Sequence, residues 1–186
     1  MDIASKEKME KIALRKRFRS ERSLRDASES WNHIKNSSEF MAAKTIASYI
    51  SYDDEPQTED LNIALIRSGK TLALPRMLKD KSLEWVIWSG ESSKLEKNGK
   101  ILEPVGEAIS KDQLDIVIVP TLHATRDGYR LGQGGGSYDR ALAQISAWRI
   151  GLIYSGELTI EPVPVEAHDM KLNAIATPDL IVRFTN

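Results

Sequence analysis

The sequence contains no cysteine, which excludes disulfide bonds, thiolate metal ligands and a cysteine nucleophile. It also lacks an excess of charge of one sign, since 26 basic and 27 acidic residues give a formal net charge of −1. A dedicated nucleic-acid-binding protein would be basic. No run approaches the roughly 20 apolar residues that span a bilayer, and the N-terminal segment lacks a signal-peptide core. We therefore expect a cytoplasmic protein that binds neither nucleic acid nor membranes.

The pattern along the chain predicts an α/β fold. With 186 residues, the chain is long enough for one sizeable core, so we expect a single domain over residues 1–186. The predicted strands are Thr45–Tyr52, Thr71–Leu74, Leu83–Trp88, Asp115–Val119, Ile150–Tyr154 and Ala174–Ala176. The predicted helices are Lys6–Arg25, a short one with Trp31 and Ile34, one from Thr58 to Gly69, and one from Ser137. This alternation predicts a three-layer αβα domain with a mostly parallel central sheet.

Two stretches of this pattern carry more specific expectations. The run Asp115–Val119 is almost wholly apolar, as expected of an interior parallel strand that is covered on both faces. Trp85 and Trp88 are three residues apart, so they should lie on opposite faces of their strand, one in the core and one at an edge or cleft. The segment after Trp88 is rich in Ser, Lys, Glu and Gly and is expected to be a surface excursion.

A glycine-rich segment before the helix at Ser137 carries the candidate chemistry. Within five residues lie Gly132, Gly134, Gly135 and Gly136. Glycine lets backbone N–H groups approach an anion such as phosphate closely. Arg130 adds a guanidinium that can bind phosphate oxygens, and Asp139 adds a carboxylate that can bind Mg²⁺. The segment lacks the Lys-Ser/Thr of a P-loop, and Ser137 stands where G-x-G-x-x-G needs its third glycine. On the glycines alone, a tight or flexible connection is the simpler interpretation.

The run Arg130–Asp139 reads R-L-G-x-G-x-G-x-Y-D and follows an apolar strand and a proline. It resembles the signature of the 5-formyltetrahydrofolate cyclo-ligase family, also called methenyltetrahydrofolate synthetase. Further matches are Lys11-x-x-Leu-Arg15, Tyr52-Asp-Asp-Glu55, Leu74-Pro75 and His168-Asp169. The resemblance spans nearly the whole chain. It implies a Rossmann-like domain that binds MgATP at the glycine loop and a reduced folate in an adjoining cleft.

The resemblance also implies roles for individual residues. Arg130 would be catalytic, and the Mg²⁺ ligands would be Asp139 and Asn173. The folate would be bound by Tyr52, Glu55 and Gln57. The ATP-binding residues would be Lys11, Arg15, Arg130, Leu131, Gly132, Gln133, Gly134, Gly135, Gly136, Ser137 and Tyr138. The chain departs from the family pattern at Ser137, where an aromatic residue is common, and at Asn173, where some members have an aspartate.

Ordinary structural roles are open alternatives for several of these residues. A solvated basic helix face would account for Lys8, Lys11, Arg15, Arg19 and Arg22. Glu55 would then be a loop acid, and Tyr52 a half-buried aromatic residue of a strand. We expect His168 and Asp169 to order the C-terminal loop rather than to form an acid–base pair. Three histidines without cysteine also argue against a zinc site.

The implied reaction is the ATP-dependent conversion of 5-formyltetrahydrofolate, with or without a polyglutamate tail, to 5,10-methenyltetrahydrofolate, ADP and phosphate. ATP would phosphorylate the formyl oxygen, and N10 would then displace phosphate. Arg130, Lys11, Arg15 and the glycine amides would position and neutralise the triphosphate. We expect a monomer. Two other hypotheses compete with this function. The chain could be a non-catalytic paralogue that binds nucleotide or folate, or another small-molecule enzyme that uses the glycine loop to bind a different phosphate.

Overall fold

The computed structural model of the chain describes residues 3–25, 28–160 and 163–185. Its α-helices are α1 (Ile3–Arg22), α2 (Ser38–Ala42), α3 (Glu59–Arg67) and α4 (Ser137–Leu142). Short 3-10 helices cover Asn32–Asn36, Ser92–Lys94 and Lys111–Gln113. The strands are β1 (Thr45–Ala47), β2 (Thr71–Met77), β3 (Leu83–Ile87), β4 (Leu95–Asn98), β5 (Ile101–Pro104), β6 (Ala108–Ile109), β7 (Ile116–Pro120), β8 (His123–Thr125), β9 (Arg130–Leu131), β10 (Trp148–Leu152), β11 (Leu158–Thr159), β12 (Ala174–Ala176) and β13 (Ile181–Arg183). No helix among these described residues is long and apolar enough to cross a membrane.

The central sheet has eight strands in the order β13-β12-β10-β7-β1-β2-β3-β6. The five strands from β12 to β2 are parallel to one another, and β13, β3 and β6 add antiparallel edges. β7 lies between β10 and β1, and its residues 116–119 are almost completely buried. The prediction of a mostly parallel sheet with this strand in its interior is confirmed.

Two hydrophobic clusters lie on opposite faces of this sheet. Ile116 and Ile118 of β7 belong to the first cluster, whereas Val117 and Val119 belong to the second, as alternation along a strand requires. The first cluster also contains core residues from α2 and α3, and the second contains Leu142 of α4. Helices therefore cover both faces, which confirms the three-layer αβα prediction.

The two tryptophans of the third predicted strand are divided between the two faces. Trp85 belongs to the second cluster and Trp88 to the first, so the prediction of opposite faces is confirmed. Both are buried, and the expectation that one of them lies at an edge or cleft is wrong. Trp88 is buried because it follows β3 onto the face covered by the first cluster, where its indole N–H donates to the carbonyl of Glu91 at 2.9 Å.

Some element boundaries differ from the prediction for local reasons. The strand expected over Thr45–Tyr52 ends at Ala47, because Tyr49 O instead accepts hydrogen bonds from the side chains of Thr58 (2.6 Å) and Asn62 (2.9 Å). Helix α3 does begin after Thr58 and end before Gly69, which has a φ of +82° and suits the end of a helix.

The expected surface excursion after Trp88 is instead partly ordered as a hairpin. Strands β4 and β5 pair in an antiparallel manner across the turn at Gly99, which has a φ of +63°. Most side chains of β4 are exposed, which explains why no buried periodicity marks it in the sequence. The predicted short helix with Trp31 and Ile34 is also different: it is a 3-10 turn over Asn32–Asn36 followed by α2.

Candidate active site

A cavity of about 320 Å³ lies at the carboxyl edge of the sheet. Its floor includes Tyr49 and Ile50 after β1, Pro75 and Met77 at the end of β2, and Pro120 at the end of β7. Open α/β sheets bind ligands in crevices outside the carboxyl ends of their strands. The position of the cavity is therefore that of a ligand-binding site.

Most of the residues that the sequence analysis selected line this one cavity. They are Lys11, Arg15, Tyr52, Glu55, Arg130, Leu131, Gly132, Gln133, Gly134, Gly135, Gly136, Ser137, Tyr138 and Asp139. The cavity is also lined by residues that the sequence analysis did not select, among them Ile101, Leu102 and Glu103 of β5. β5 was missed because it has only four residues and its burial does not alternate, so its sequence resembles that of a surface loop.

The structure does not bring Gln57 or Asn173 to the cavity. Gln57 is exposed, and its side chain turns back to donate a hydrogen bond to Glu55 O at 3.2 Å. Asn173 precedes β12, at the amino end of a parallel strand and thus at the edge of the sheet opposite the cavity. Its amide oxygen accepts a hydrogen bond from the backbone N–H of Arg149 at 2.8 Å. Asn173 and Asp139, the two predicted Mg²⁺ ligands, therefore lie at opposite edges of the sheet.

The glycine loop is held against helix α1 by two arginines. Arg15 Nε donates to Gly132 O at 3.0 Å, and Arg19 Nη2 donates to Gln133 O at 2.9 Å. Gly134 has a φ of +104°, and a Cβ atom there would lie 3.3 Å from Arg15 Nε. Glycine at this position thus permits both the left-handed backbone and the close approach of Arg15.

Arg130 and Asp139 form an ion pair at the start of α4. Arg130 is 8% exposed, and its Nη2 donates to Asp139 Oδ1 at 2.9 Å. The backbone N–H of Met170 donates to the same oxygen at 3.3 Å. Arg130 Nε is buried and has no hydrogen-bond partner among the described residues. A buried guanidinium with an unused donor beside a cavity is suited to an anionic ligand.

Lys11 is buried beside two carboxylates rather than solvated on a basic helix face. Its Nζ lies 2.8 Å from Glu166 Oε2 and 2.6 Å from Asp169 Oδ2. Burial alone would lower the pKa of Lys11, but the hydrogen bonds to Asp169 and Glu166 outweigh burial, so the pKa is raised. Ligand atoms of Glu166, His168 and Asp169 lie within 4.8 Å of one another, and the lysine supplies a positive charge to this group.

Arg22, at the end of α1, is also buried. A solvated basic face therefore describes the exposed Lys8 and Arg19, but not Lys11 or Arg22. Its Nε donates to Glu157 Oε1 at 2.9 Å, and its Nη2 donates to the carbonyls of Thr121 (2.8 Å) and Leu122 (2.9 Å). Phe18, one turn earlier, stacks on His123 with ring centroids 3.8 Å apart. These contacts hold α1 beside the cavity.

Part of the cavity lining combines a buried acid with aromatic and apolar side chains. Glu55 is 4% exposed, and burial raises its pKa to about 7 although its Oε2 accepts the Tyr52 N–H at 3.3 Å. The hydroxyl of Tyr138 is buried without a hydrogen-bond partner in the part of the chain that the structure describes. Its ring meets Trp85 edge-on, with ring centroids 6.2 Å apart. Together with Ile101 of β5, these groups suit a flat ligand with polar edges.

Comparisons with known proteins point to one family. A model described as the 5-formyltetrahydrofolate cyclo-ligase family matches residues 5–178. The 5-formyltetrahydrofolate cyclo-ligase of Escherichia coli (strain K12) is 32% identical over 147 residues, which cover 75% of this chain and 80% of that protein. The 5-formyltetrahydrofolate cyclo-ligase of Mycolicibacterium smegmatis is 29% identical over 153 residues, which cover 74% of this chain and 75% of that protein. The NMR structure of Aquifex aeolicus 5,10-methenyltetrahydrofolate synthetase superposes with a TM-score of 0.81 at 26% identity, covering 95% of this chain and 93% of that one.

Proposed function

This chain belongs to the 5-formyltetrahydrofolate cyclo-ligase family, and we propose that the cavity at the carboxyl edge of its sheet is the active site. The chain is an ATP-dependent enzyme that converts 5-formyltetrahydrofolate to 5,10-methenyltetrahydrofolate, ADP and phosphate. The observation that supports this site is the meeting of Lys11, Arg15 and Arg130 with the glycine loop and buried Glu55 around one cavity.

The nucleotide occupies the end formed by α1 and the glycine loop. Lys11, Arg15 and Arg130 all line this end and together offer three positive charges to the triphosphate. The backbone of the loop from Gly132 to Gly136 can approach the phosphates closely, because these residues have no side chains except at Gln133. Hydrogen bonds from the three charged side chains to phosphate oxygens would be stronger than those between neutral groups.

Of the two predicted Mg²⁺ ligands, Asp139 is the one whose position fits the metal. It lines the cavity, and its two hydrogen bonds, from Arg130 and from the Met170 N–H, both use Oδ1. Carboxylate oxygen is the preferred protein ligand of Mg²⁺, so Oδ2 is the atom we assign to the metal. When bound, Mg²⁺ would supply neutralisation of the phosphate oxygens. Asn173 is not part of this assignment, because its position is outside the cavity.

The folate occupies the part of the cavity lined by Tyr52, Glu55 and Tyr138, with its ring against apolar and aromatic side chains. Glu55 and the hydroxyl of Tyr138 are the buried polar groups that can hydrogen-bond to the pterin edge, and Tyr52 contributes an aromatic face. Polyglutamylated forms are included as substrates, because Lys100, next to lining residue Ile101, is exposed. Its ammonium pairs with Asp53 at 3.1 Å, and tail carboxylates can compete for this exposed cation. We propose that the enzyme acts as a monomer.

The reaction needs positioning and charge neutralisation more than covalent catalysis. The formyl oxygen forms a bond to the γ-phosphorus while the bond from that phosphorus to ADP breaks. N10 then attacks the formyl carbon and loses its proton, and the carbon–oxygen bond breaks to release phosphate. Arg130 stabilises the charge that develops on the transferred group, and Lys11 and Arg15 hold the outer phosphates.

The decisive assay mixes pure protein with 5-formyltetrahydrofolate and MgATP and follows the absorbance of the methenyl product. Absorbance should rise only when ATP is present. Arg130→Lys keeps the charge but loses the planar fork, so we expect its single-turnover rate to fall about 100-fold or more, with a smaller loss of ATP affinity. Arg126→Lys is the matched control, because Arg126 belongs to the same segment but is exposed and outside the cavity.

Each part of the proposal has its own contrary result. ATP binding without any methenyl product would favour the non-catalytic paralogue. An unchanged single-turnover rate in Arg130→Lys, with circular dichroism confirming the fold, would remove Arg130 from the catalytic machinery.

A further inference from the structure

Arg140 of α4 folds back onto the second half of the glycine loop. Although the residue is exposed, its Nη2 donates to Gly135 O at 3.3 Å and to Ser137 Oγ at 3.4 Å. Gly136 has a φ of +66°, and a Cβ atom there would lie 3.0 Å from Arg140 Nη1, so glycine lets the guanidinium lie against the loop backbone. The arginines of α1 bond to the first half of the loop, and Arg140 bonds to the second.

The same nitrogen of Arg140 also reaches the turn between β2 and β3. It donates to Lys81 O at 3.0 Å, which is the shortest of its three contacts. In the part of the chain that the structure describes, this is the one hydrogen bond that joins the turn over residues 78–82 to residues 132–140. Met77 and Leu83 flank this β2–β3 turn, and both line the cavity. Arg140 therefore connects the glycine loop to a wall of the cavity.

The β2–β3 turn offers Arg140 a fixed acceptor. The Leu78 N–H donates to Ser82 O, and the Lys81 N–H donates to Leu78 O, both at 2.9 Å. Lys81 has a φ of +67°, the left-handed conformation that hairpins with three-residue loops take at the last loop position. The Lys81 carbonyl is thus held in place by the closed backbone of the turn.

We propose that Arg140 is a positioning residue that fixes the glycine loop relative to the cavity wall with Met77 and Leu83, so that the two substrates meet in a reactive alignment. The inference rests on the proposed function in placing the triphosphate at the glycine loop and the folate ring against the apolar lining. Phosphoryl transfer joins an oxygen of one substrate to a phosphorus of the other, and a displacement of about 1 Å can cost about 100-fold in rate. The contact should therefore affect the rate of the bound state more than either affinity.

Steady-state kinetics of Arg140 variants test this role. Arg140→Met keeps the aliphatic stem but loses the three hydrogen bonds, so kcat should fall about tenfold or more, while KM for ATP and KM for 5-formyltetrahydrofolate each stay within about threefold. Arg140→Lys can still reach one carbonyl and should recover part of the lost rate. Arg67→Met is the matched control with unchanged kcat, because Arg67 is an exposed arginine in the last turn of α3 and outside the cavity.

The acceptor is a backbone carbonyl, so substitutions of Lys81 separate the effect of its backbone from that of its side chain. Lys81→Gly adopts the left-handed conformation freely and should keep the wild-type kcat. Lys81→Pro cannot adopt a φ of +67° and displaces the carbonyl, so its kcat should fall. Adding Arg140→Met to Lys81→Pro should lower kcat by less than about twofold further, because the hydrogen bond is already lost.

Amide hydrogen exchange of the ligand-free protein tests the contact without any turnover. In Arg140→Met, the Leu78 and Lys81 amides should exchange about three to ten times faster than in the wild type, which corresponds to the loss of about one hydrogen bond. The Gly69 amide, which bonds to Ile66 O at the end of α3, is the internal control and should not change. A wild type that makes no methenyl product but shows this exchange effect would contradict the proposed function and still support the connection between loop and turn.

Three results would overturn the inference. They are a wild-type kcat in Arg140→Met, a loss in that variant that is confined to a KM for ATP raised about tenfold or more, and unchanged exchange at Lys81. The second result would make Arg140 a direct phosphate contact. Circular dichroism confirms that each variant is folded. If Arg140→Met does not fold, Lys81→Pro and Lys81→Gly provide the comparison, and equal kcat values in these two variants would count against positioning.

Discussion

Glu55 is a buried acid whose ionisation should cost stability. Burial raises its pKa from an ordinary 4.5 to about 7, against the opposing effects of the Tyr52 N–H, the Gln133 side chain and Arg22, and with a small reinforcement from Asp53. A carboxyl with a raised folded-state pKa stabilises the fold fully below pH 4.5, and this stability is lost as the pH rises through about 7.

Glu55→Gln removes that titration. The free energy of unfolding of the variant, relative to the wild type, should therefore rise by about 3 kcal/mol between pH 4.5 and pH 8. Urea unfolding at a series of pH values measures this difference. Gln57→Ala is the control, because its exposed side chain bonds only to the backbone of Glu55, and its effect should not vary with pH. A pH-independent difference between Glu55→Gln and the wild type would contradict the assignment. Glu55→Gln should also lose folate affinity, because it replaces the acid that we propose to bind the pterin edge.

At the scale of elements, helix α1 depends on a few buried contacts near its C-terminal end. Arg22 bonds to Glu157, whose side chain is 6% exposed, and to two backbone carbonyls. Lys11 and Arg15 reach the cavity from the same helix. The position of both cations therefore depends on a contact two or three turns away.

Arg22→Met should lower both stability and nucleotide affinity. It leaves the buried Glu157 with the Tyr154 N–H at 2.8 Å and with a longer ion pair to Arg25 at 3.5 Å. Breaking a buried ion pair costs about 3 kcal/mol or more. ATP affinity should fall because α1 no longer holds Lys11 in place. Arg17→Met is the control: its pair with Glu21 is exposed, and its effect on stability should stay within about 1 kcal/mol. Calorimetric ATP titrations and urea unfolding measure the two effects. A destabilised Arg22→Met with wild-type ATP affinity would show that α1 docking does not position the nucleotide cations.

Elements with a strong local signal were predictable from the sequence. The run Asp115–Val119 is apolar on both faces and proved to be the interior strand β7, and Gly69 ends α3 as expected. The hairpin of β4 and β5 was not predictable, because its exposed residues carry no periodicity, although Ile101 and Leu102 line the cavity.

In the candidate site too, residues with a local sequence signal were predictable and residues that depend on distant partners were not. The glycine signature predicted a contiguous part of the cavity lining, because its residues are adjacent in sequence. The burial of Arg22 and the pairing of Lys11 with Asp169 depend on partners far away in sequence, which helical spacing cannot reveal. Asn173 was assigned from the family resemblance, because some members have an aspartate at this position four residues after Asp169. The chain between the two residues turns to the start of β12 and takes Asn173 to the opposite edge of the sheet.

At the scale of the whole molecule, a nearly neutral chain brings three cations together around one cavity, which is also lined by acidic residues, namely Glu55, Glu103, Asp139, Glu166 and Asp169. The formal net charge is −1, yet Lys11, Arg15 and Arg130 lie around one cavity. Two of these cations are paired with carboxylates, Lys11 with Asp169 and Arg130 with Asp139. An anionic ligand would therefore bind through the local arrangement of these cations rather than through the overall charge of the chain. Its binding should increase the stability of the whole fold.

The last prediction concerns that linkage and the expectation of a single domain. The two hydrophobic clusters share β7, so neither face of the sheet can unfold alone without exposing the other. Trp31 and Trp88 report on one cluster and Trp85 on the other, so tryptophan fluorescence and far-ultraviolet circular dichroism should give one coincident thermal midpoint. ATP at about 100 times its Kd should raise stability by about 2.7 kcal/mol and the midpoint by about 5–10 °C, equally for both probes. At the same ATP concentration, Lys11→Met should show a smaller shift. Separate midpoints, or a shift in only one probe, would indicate that the chain unfolds as more than one unit and that the nucleotide stabilises only part of it.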